Sequence, residues 1–164
     1  MKSNEHELVV FAYNLHMAHR LASDLTAEQM SQQIGGVGQT PAWILGHLAI
    51  ATDYASQLLG RPKSLDNSWH TAFGPGSEIN HPQTPTNDKA VLLDALARGH
   101  KIVVDAASQT DSSSLTSPHP VPLFEGTPIV SCGHLVSHLL TGHEGYHLGQ
   151  LSAWRRQKGF PALF

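Results

Sequence analysis

Gly142-His143-Glu144-Gly145-Tyr146-His147-Leu148-Gly149-Gln150 sets two histidines four residues apart in a stretch whose apolar spacing reads as an amphipathic helix. That interval stacks the two imidazoles on one helix face about a turn apart, as two ligands of one metal ion require. With a rotation of about 100° per residue, Ile129, Cys132, Val136, Leu139, Leu140, Tyr146, Gln150 and Trp154 fall within roughly 60° of His143. Ser137, Thr141, Gly145, Ser152, Arg155 and Arg156 fall opposite. The pair therefore sits mid-stripe, on the side a helix turns toward its core. Buried imidazoles need partners for their nitrogens, and a shared ion satisfies both rings together.

The same rotation places a second pair, His134 and His138, about 140–180° away, on a solvent-facing or subunit-facing side. The spacing alone is weak, because the chain carries 12 histidines against 10 Lys plus Arg. A second helix supplies the stronger argument. Thr40-Pro41 reads as an N-cap followed by proline at the first helical position, and Gly60-Arg61-Pro62 as a stop after Leu59. On it, Trp43, Ile44, Ile50, Ala51, Tyr54 and Leu58 share the face of His47, and Thr52, Asp53 and Ser56 lie on the far side. His47, His143 and His147 thus make three nitrogen ligands from two helices. Three ligands with an open position are the arrangement of catalytic metal centres. The expected ion is a divalent transition metal, and imidazole alone does not separate zinc, nickel, iron and copper.

At 164 residues, 40% hydrophobic and 14% charged, the chain is expected to form one globular domain over residues 1–164. A net charge of −3 gives no reason to expect nucleic acid, and no apolar run approaches a membrane span. Met1–Glu7 lacks the layout of a secretory signal, so a cytoplasmic setting is expected. The lone Cys132 rules out an intramolecular disulfide and, on the core face, reads as a small buried hydrophobe.

Helical spacing predicts a first helix from Asn4 to Ser23, a short capped one from Thr26 ended near Gly35-Gly36, and the segment from Pro41. A long connection between Gly60 and Pro85 comes next. A third long helix starts at Thr86–Lys89, with Val91, Leu92, Ala95, Leu96, Ile102 and Val103 buried and Gly99 as a weak point. After a proline-rich loop from Thr110 to Thr127, the last helix runs from Pro128 to Lys158. Four long helices, long connections and no strand predict an all-α bundle, a fold that builds metal sites from inward side chains.

With these elements placed, the chain resembles the DinB-like family, helical bundles regarded as metalloenzymes. The resemblance rests on Trp43-Ile44-Leu45-Gly46-His47-Leu48, on His143-Glu144-Gly145-Tyr146-His147-Leu148-Gly149-Gln150-Leu151, and on Arg155-Arg156-Gln157-Lys158-Gly159. It covers essentially the whole chain and implies an up-down-down-up four-helix bundle, often dimeric, with His47, His143 and His147 as the metal triad. Leu148 stands where the family commonly has a basic residue. The family includes bacillithiol S-transferases, a mycothiol-dependent maleylpyruvate isomerase and a metal-dependent hydrolase. The resemblance therefore implies S-transfer or hydrolysis on a small-molecule substrate, with zinc, nickel or iron and a low-molecular-weight thiol as cofactors, in a homodimer. The alternative is a non-catalytic metal-binding or dimerisation module of stress response.

Around the triad, Gln150 shares the ligand face and is expected to orient an imidazole or a bound water, or else to bond backbone. Tyr54 and Trp43 are expected to wall the pocket or pack in the core. Glu144, at the stripe's edge, is expected to be exposed, and no residue is singled out as catalytic. His16, His19, His70, His81, His100 and His119 are expected on the surface or in loops, with His70 and His81 in a connection able to fold over the pocket.

Overall fold

A computed structural model describes residues 5–33 and 38–163 of the chain. Its elements are α1 (Glu5–Ala22), α2 (Ala27–Met30), α3 (Pro41–Leu58), α4 (Asn67–Phe73), α5 (Lys89–Ala107) and α6 (Ser112–Leu115). A 3-10 turn at Pro122–Phe124 comes next, then α7 (Cys132–His138), a π turn (Leu139–His143) and α8 (Glu144–Gln157). Among the described residues there is no strand, only an isolated bridge between Pro118 and Ser131, so the chain is all-α as expected. None of these helices is long and apolar enough to cross a membrane.

Local chemistry sets the helix ends. The Thr40 hydroxyl accepts from Trp43 N–H at 3.1 Å while Pro41 occupies the first turn. Thr26 and Gln29 form a reciprocal capping box. At α5 the cap is Asp88, whose carboxylate accepts from the Ala90 and Val91 amides, so the helix starts at Lys89 rather than Thr86. The last helix begins at Cys132, capped by Ser131, rather than at Pro128. The expected loop between Gly60 and Pro85 contains a helix of its own, α4. Asn4 and the Gly35-Gly36 stop lie outside the described residues.

The central element is α3, buried along every face from Pro41 to Asp53. Its expected far side is therefore not solvent-facing: Thr52, Asp53 and Ser56 are buried. They are accommodated because each finds local partners. Thr52 Oγ1 donates to the Ala49 carbonyl and Ser56 Oγ to the Asp53 carbonyl, both at 2.8 Å. Helix α5 runs along α3, and α1 packs on α5 and α8. The approach of α5 depends on Gly99, where an added Cβ would lie 2.0 Å from Thr52 Oγ1. What reads in the sequence as a weak point is the place where two helices touch. By contrast Val91, expected inside, is exposed.

Arg155, expected on the exposed side of the last helix, is also buried. Its guanidinium donates to the Leu21 carbonyl at 2.9 Å and to both oxygens of Asp24, and lies over the Phe160 ring. This contact joins the C-terminal end of α8 to the end of α1, and the arginine beside Asp24 lowers that carboxyl's pKa.

Gly99→Ala is expected to lower stability by about 1–3 kcal/mol through overpacking. Urea denaturation checks this, and adding Thr52→Ala, which removes Oγ1 but leaves the Thr52 Cβ at 2.9 Å, is expected to restore part of the loss.

Candidate metal centre

Three imidazoles converge inside the helical assembly. His47 comes from the middle of α3, His143 closes the π turn, and His147 lies in the first turn of α8. One ring nitrogen from each lies within 4.8 Å of the others, so the three could hold a metal ion. His47 Nε2 and His143 Nε2 are 3.2 Å apart. Two nitrogens each about 2.0–2.1 Å from a tetrahedral zinc sit about 3.3 Å apart, so this separation fits a shared ion.

The remaining nitrogens show which atoms are free to bind. His47 Nδ1 donates to the Phe73 carbonyl at 2.7 Å, and His147 Nδ1 donates to Gln150 Oε1 at 2.8 Å. In both rings this leaves the lone pair on Nε2. His143 Nδ1 is buried without a hydrogen-bond partner among the described residues. Without an ion, His143 Nε2–H can donate to the bare Nε2 of His47, which leaves His143 Nδ1 as the unpartnered nitrogen. An ion instead accepts the Nε2 lone pairs of both rings.

Burial keeps the rings neutral, which is the ligand form. Desolvation lowers the pKa of His47 to about 4, partly opposed by its bond to Phe73 and reinforced by His147. Desolvation, with His147, His47 and His138 nearby, lowers that of His143 to about 3. Burial also lowers His147, against a smaller upward effect of Gln150.

The π turn explains where uniform helical rotation goes astray. A π turn closes i to i+5, so it aligns residues five apart and shifts the register of the helix beyond it. His138 thereby comes beside His143, with ring centroids 6.0 Å apart, and packs edge-on against Phe124. It is half-buried rather than solvent-facing, and burial lowers its pKa; only His134 of that pair is exposed. Glu144, expected outside, is 2% exposed, and its Oε1 accepts from His100 Nε2 at 2.8 Å. Burial pushes this carboxyl's pKa up, while His100 and Asn14 pull it partly back. His100, expected on the surface, is buried and stacked on Phe11 at 3.5 Å. Its position four residues after Leu96 and three before Val103 is the signal that places it on α5's core face. Tyr146, expected in the stripe, is 65% exposed. The Asn14 amide donates to the Leu140 carbonyl at 3.3 Å and the Thr141 carbonyl at 3.4 Å, supplying a partner to carbonyls of the widened turn.

A cleft of about 400 Å³ opens over His47 and His143. Ile50, Ala51 and Tyr54 of α3 and Leu135 and Leu139 of the last helix wall it, and Pro120–Phe124 overhang it. Burial raises the Tyr54 phenol's pKa, with Cys132 adding to the shift. Trp43 stacks flat on His47 at 4.5 Å and donates from Nε1 to Ser77 Oγ at 2.8 Å. Of the two histidines in the long connection, His70 lines the cleft and His81 does not. His16 and His19 are exposed, and His119 stays in its loop on the Ile129 carbonyl. Cys132 is half-buried at the start of α7, its thiol 3.6 Å from the Pro118 carbonyl, rather than deep in the core.

The family model described as the DinB superfamily matches residues 11–151, a span that contains all three histidines. The chain belongs to the DinB superfamily. No curated protein matches this DinB chain. Membership agrees with the helical fold and with the three-histidine cluster.

The metal-free DinB protein is expected to lose stability on acidification. Imidazoles that titrate at about 4 and about 3 when folded, against 6.5 otherwise, bind protons more tightly in the unfolded chain. Their contribution is full above pH 6.5 and is lost as pH falls toward the folded values. Glu144 acts in the opposite sense, so the comparison is wild type against His143→Ala. The variant's slope of stability against pH between 6.5 and 4 is expected to be shallower by up to about 1.4 kcal/mol per pH unit. Urea titrations across that range check it.

Proposed function

We propose that this DinB protein is a metal-dependent enzyme that directs a small thiol, or water, at a small, largely apolar electrophile: an S-transferase or hydrolase. One observation carries the reading: three imidazoles bring one ring nitrogen each within 4.8 Å of the others, and two of them, His47 and His143, line a cleft whose walls are mostly aliphatic and aromatic. In this reading the long helices form the up-down-down-up bundle of the resemblance, with the cleft at the end where α4 and the Pro120–Phe124 turn approach.

His47, His143 and His147 would hold a divalent ion such as zinc, nickel or iron. When bound, such an ion lowers the pKa of a coordinated water or thiol toward neutrality. The chain's own groups supply orientation and exclusion of water. The Phe73 carbonyl and Gln150 hold the His47 and His147 rings in one tautomer, and the Trp43 plate keeps the His47 ring flat against it. Ile50, Leu135, Leu139 and Phe124 offer apolar surface to the body of a substrate. Cys132 is not among the residues lining the cleft, so a transferred sulfur comes from a small-molecule thiol.

Elemental analysis of protein purified without a nickel column is expected to show stoichiometric metal. His147→Ala is expected to lose that metal while keeping its far-UV helicity, and full occupancy in the variant would refute the assignment. A screen of low-molecular-weight thiols against apolar electrophiles, with and without chelator, is expected to reveal chelator-sensitive turnover. Bound metal with no turnover in any arm would point instead to a non-catalytic metal-binding module.

A further inference from the structure

Asp53 is 1% exposed on α3, yet its carboxylate is fully engaged. Oδ1 accepts from the Ser64 amide at 2.7 Å and the Ser64 hydroxyl at 2.6 Å. Oδ2 accepts from Gln57 Nε2 at 3.3 Å and from His70 Nε2 at 3.0 Å. A buried carboxylate with this many donors is held firmly, and it holds its imidazole partner in turn.

His70 differs from the other buried-carboxylate partner, His100. His100 is sealed in the interior, whereas the His70 side chain is 28% exposed and lines the cleft that His47 and His143 floor. The bond from Nε2–H to Asp53 fixes the tautomer, so Nδ1 carries the lone pair. No described residue hydrogen-bonds that nitrogen. The same short helix, α4, carries Phe73 three residues further on, and its carbonyl holds His47. The spacing of His70 to the triad is thus set by one rigid piece. A positioned imidazole backed by a buried carboxylate and lining the same cleft as two candidate metal ligands is the arrangement of a general base.

We infer that His70 is the proton-transfer residue of the cleft, with Asp53 as its positioning residue. This rests on the enzymatic reading above. As the sulfur of a small thiol, or the oxygen of water, bonds to the electrophilic carbon, His70 Nδ1 takes the proton that S–H or O–H gives up. As the bond from that carbon to its leaving oxygen breaks, the imidazolium returns the proton to that oxygen. Nothing is oxidised or reduced. The substrate class that this dyad serves is an apolar ester or similar acyl compound, whose departing oxygen needs a proton, rather than a halide, which does not.

The test uses the full-length, metal-loaded protein with ethyl butyrate, whose departing alkoxide oxygen has to be protonated, and reads the ethanol released in the presence and absence of N-acetylcysteine. His70→Ala is expected to keep its metal and helicity, to lose about 100-fold or more in kcat with KM nearly unchanged, and to regain part of it with added imidazole. His70→Gln keeps a hydrogen-bond donor for Asp53 but has no basic nitrogen. It is expected to lose turnover as His70→Ala does, whereas a mere tether between α4 and α3 would survive that change. Nitrogen-15 NMR, independent of turnover, is expected to find the His70 proton on Nε2 and Nδ1 bare. Unchanged kcat in either variant, or a proton on Nδ1, overturns the assignment while leaving the enzymatic reading in place. Absence of turnover by metal-loaded wild type with either nucleophile overturns the ester assignment, whereas the enzymatic reading falls only if the wider screen of thiols and electrophiles also shows no turnover.

Discussion

The 2.7 Å bond from His47 Nδ1 to the Phe73 carbonyl ties the fold to the site. It crosses from the most buried helix to a seven-residue helix in a long connection, and it determines which nitrogen of His47 is left bare. It can form because Gly46 has no side chain: a Cβ there would lie 2.5 Å from the Phe73 ring. A glycine, a histidine and a carbonyl far away in sequence thus form one contact. It sets the place of α4, the orientation of the ligand ring and the presence of His70 at the rim.

The polar groups around this contact are arranged by depth. Along α1, α5 and the last helix, Asn14, His100 and Glu144 fall between two apolar clusters, one built around Leu45, Leu48, Leu96 and Leu151, the other around Phe11, Val103, Leu135 and Leu140. This buried belt is hydrogen-bonded across helices, as interior polar groups must be. The triad lies beside it, in surroundings poor enough in solvent to keep imidazoles uncharged. Two carboxylate–imidazole pairs flank the triad. Glu144–His100 is sealed and braces α5 against α8; Asp53–His70 reaches the cleft.

Much of this was legible in the sequence, for identifiable reasons. The four-residue interval of His143 and His147 and the Thr40-Pro41 cap are local signals, and local signals survive folding. The all-helical class comes from the same spacing. What the sequence hid depends on contacts between distant segments. Thr52, Asp53 and Ser56 look like an exposed face until α5 and the chain around Ser64 cover them. Asn67–Phe73 looks like loop because its helix is short and its main connections are to α3. The misplacement of Glu144, His138 and Tyr146 has a single cause: rotation at a fixed angle assumes an unbroken α-helix, and the turn at Leu139–His143 breaks it.

That turn also limits how the chain can vary in length. A π turn is geometrically an α-helix carrying one surplus residue. Deleting any one residue between Leu139 and His143 would let the helix run through without interruption, and α7 would swing by about 100° relative to α8. Leu135 and His138 would leave their places, the cleft would lose a wall, and Asn14 would face carbonyls already bonded within the helix. The residue count of the segment, as well as the identity of His143 at its end, is therefore part of the site's architecture.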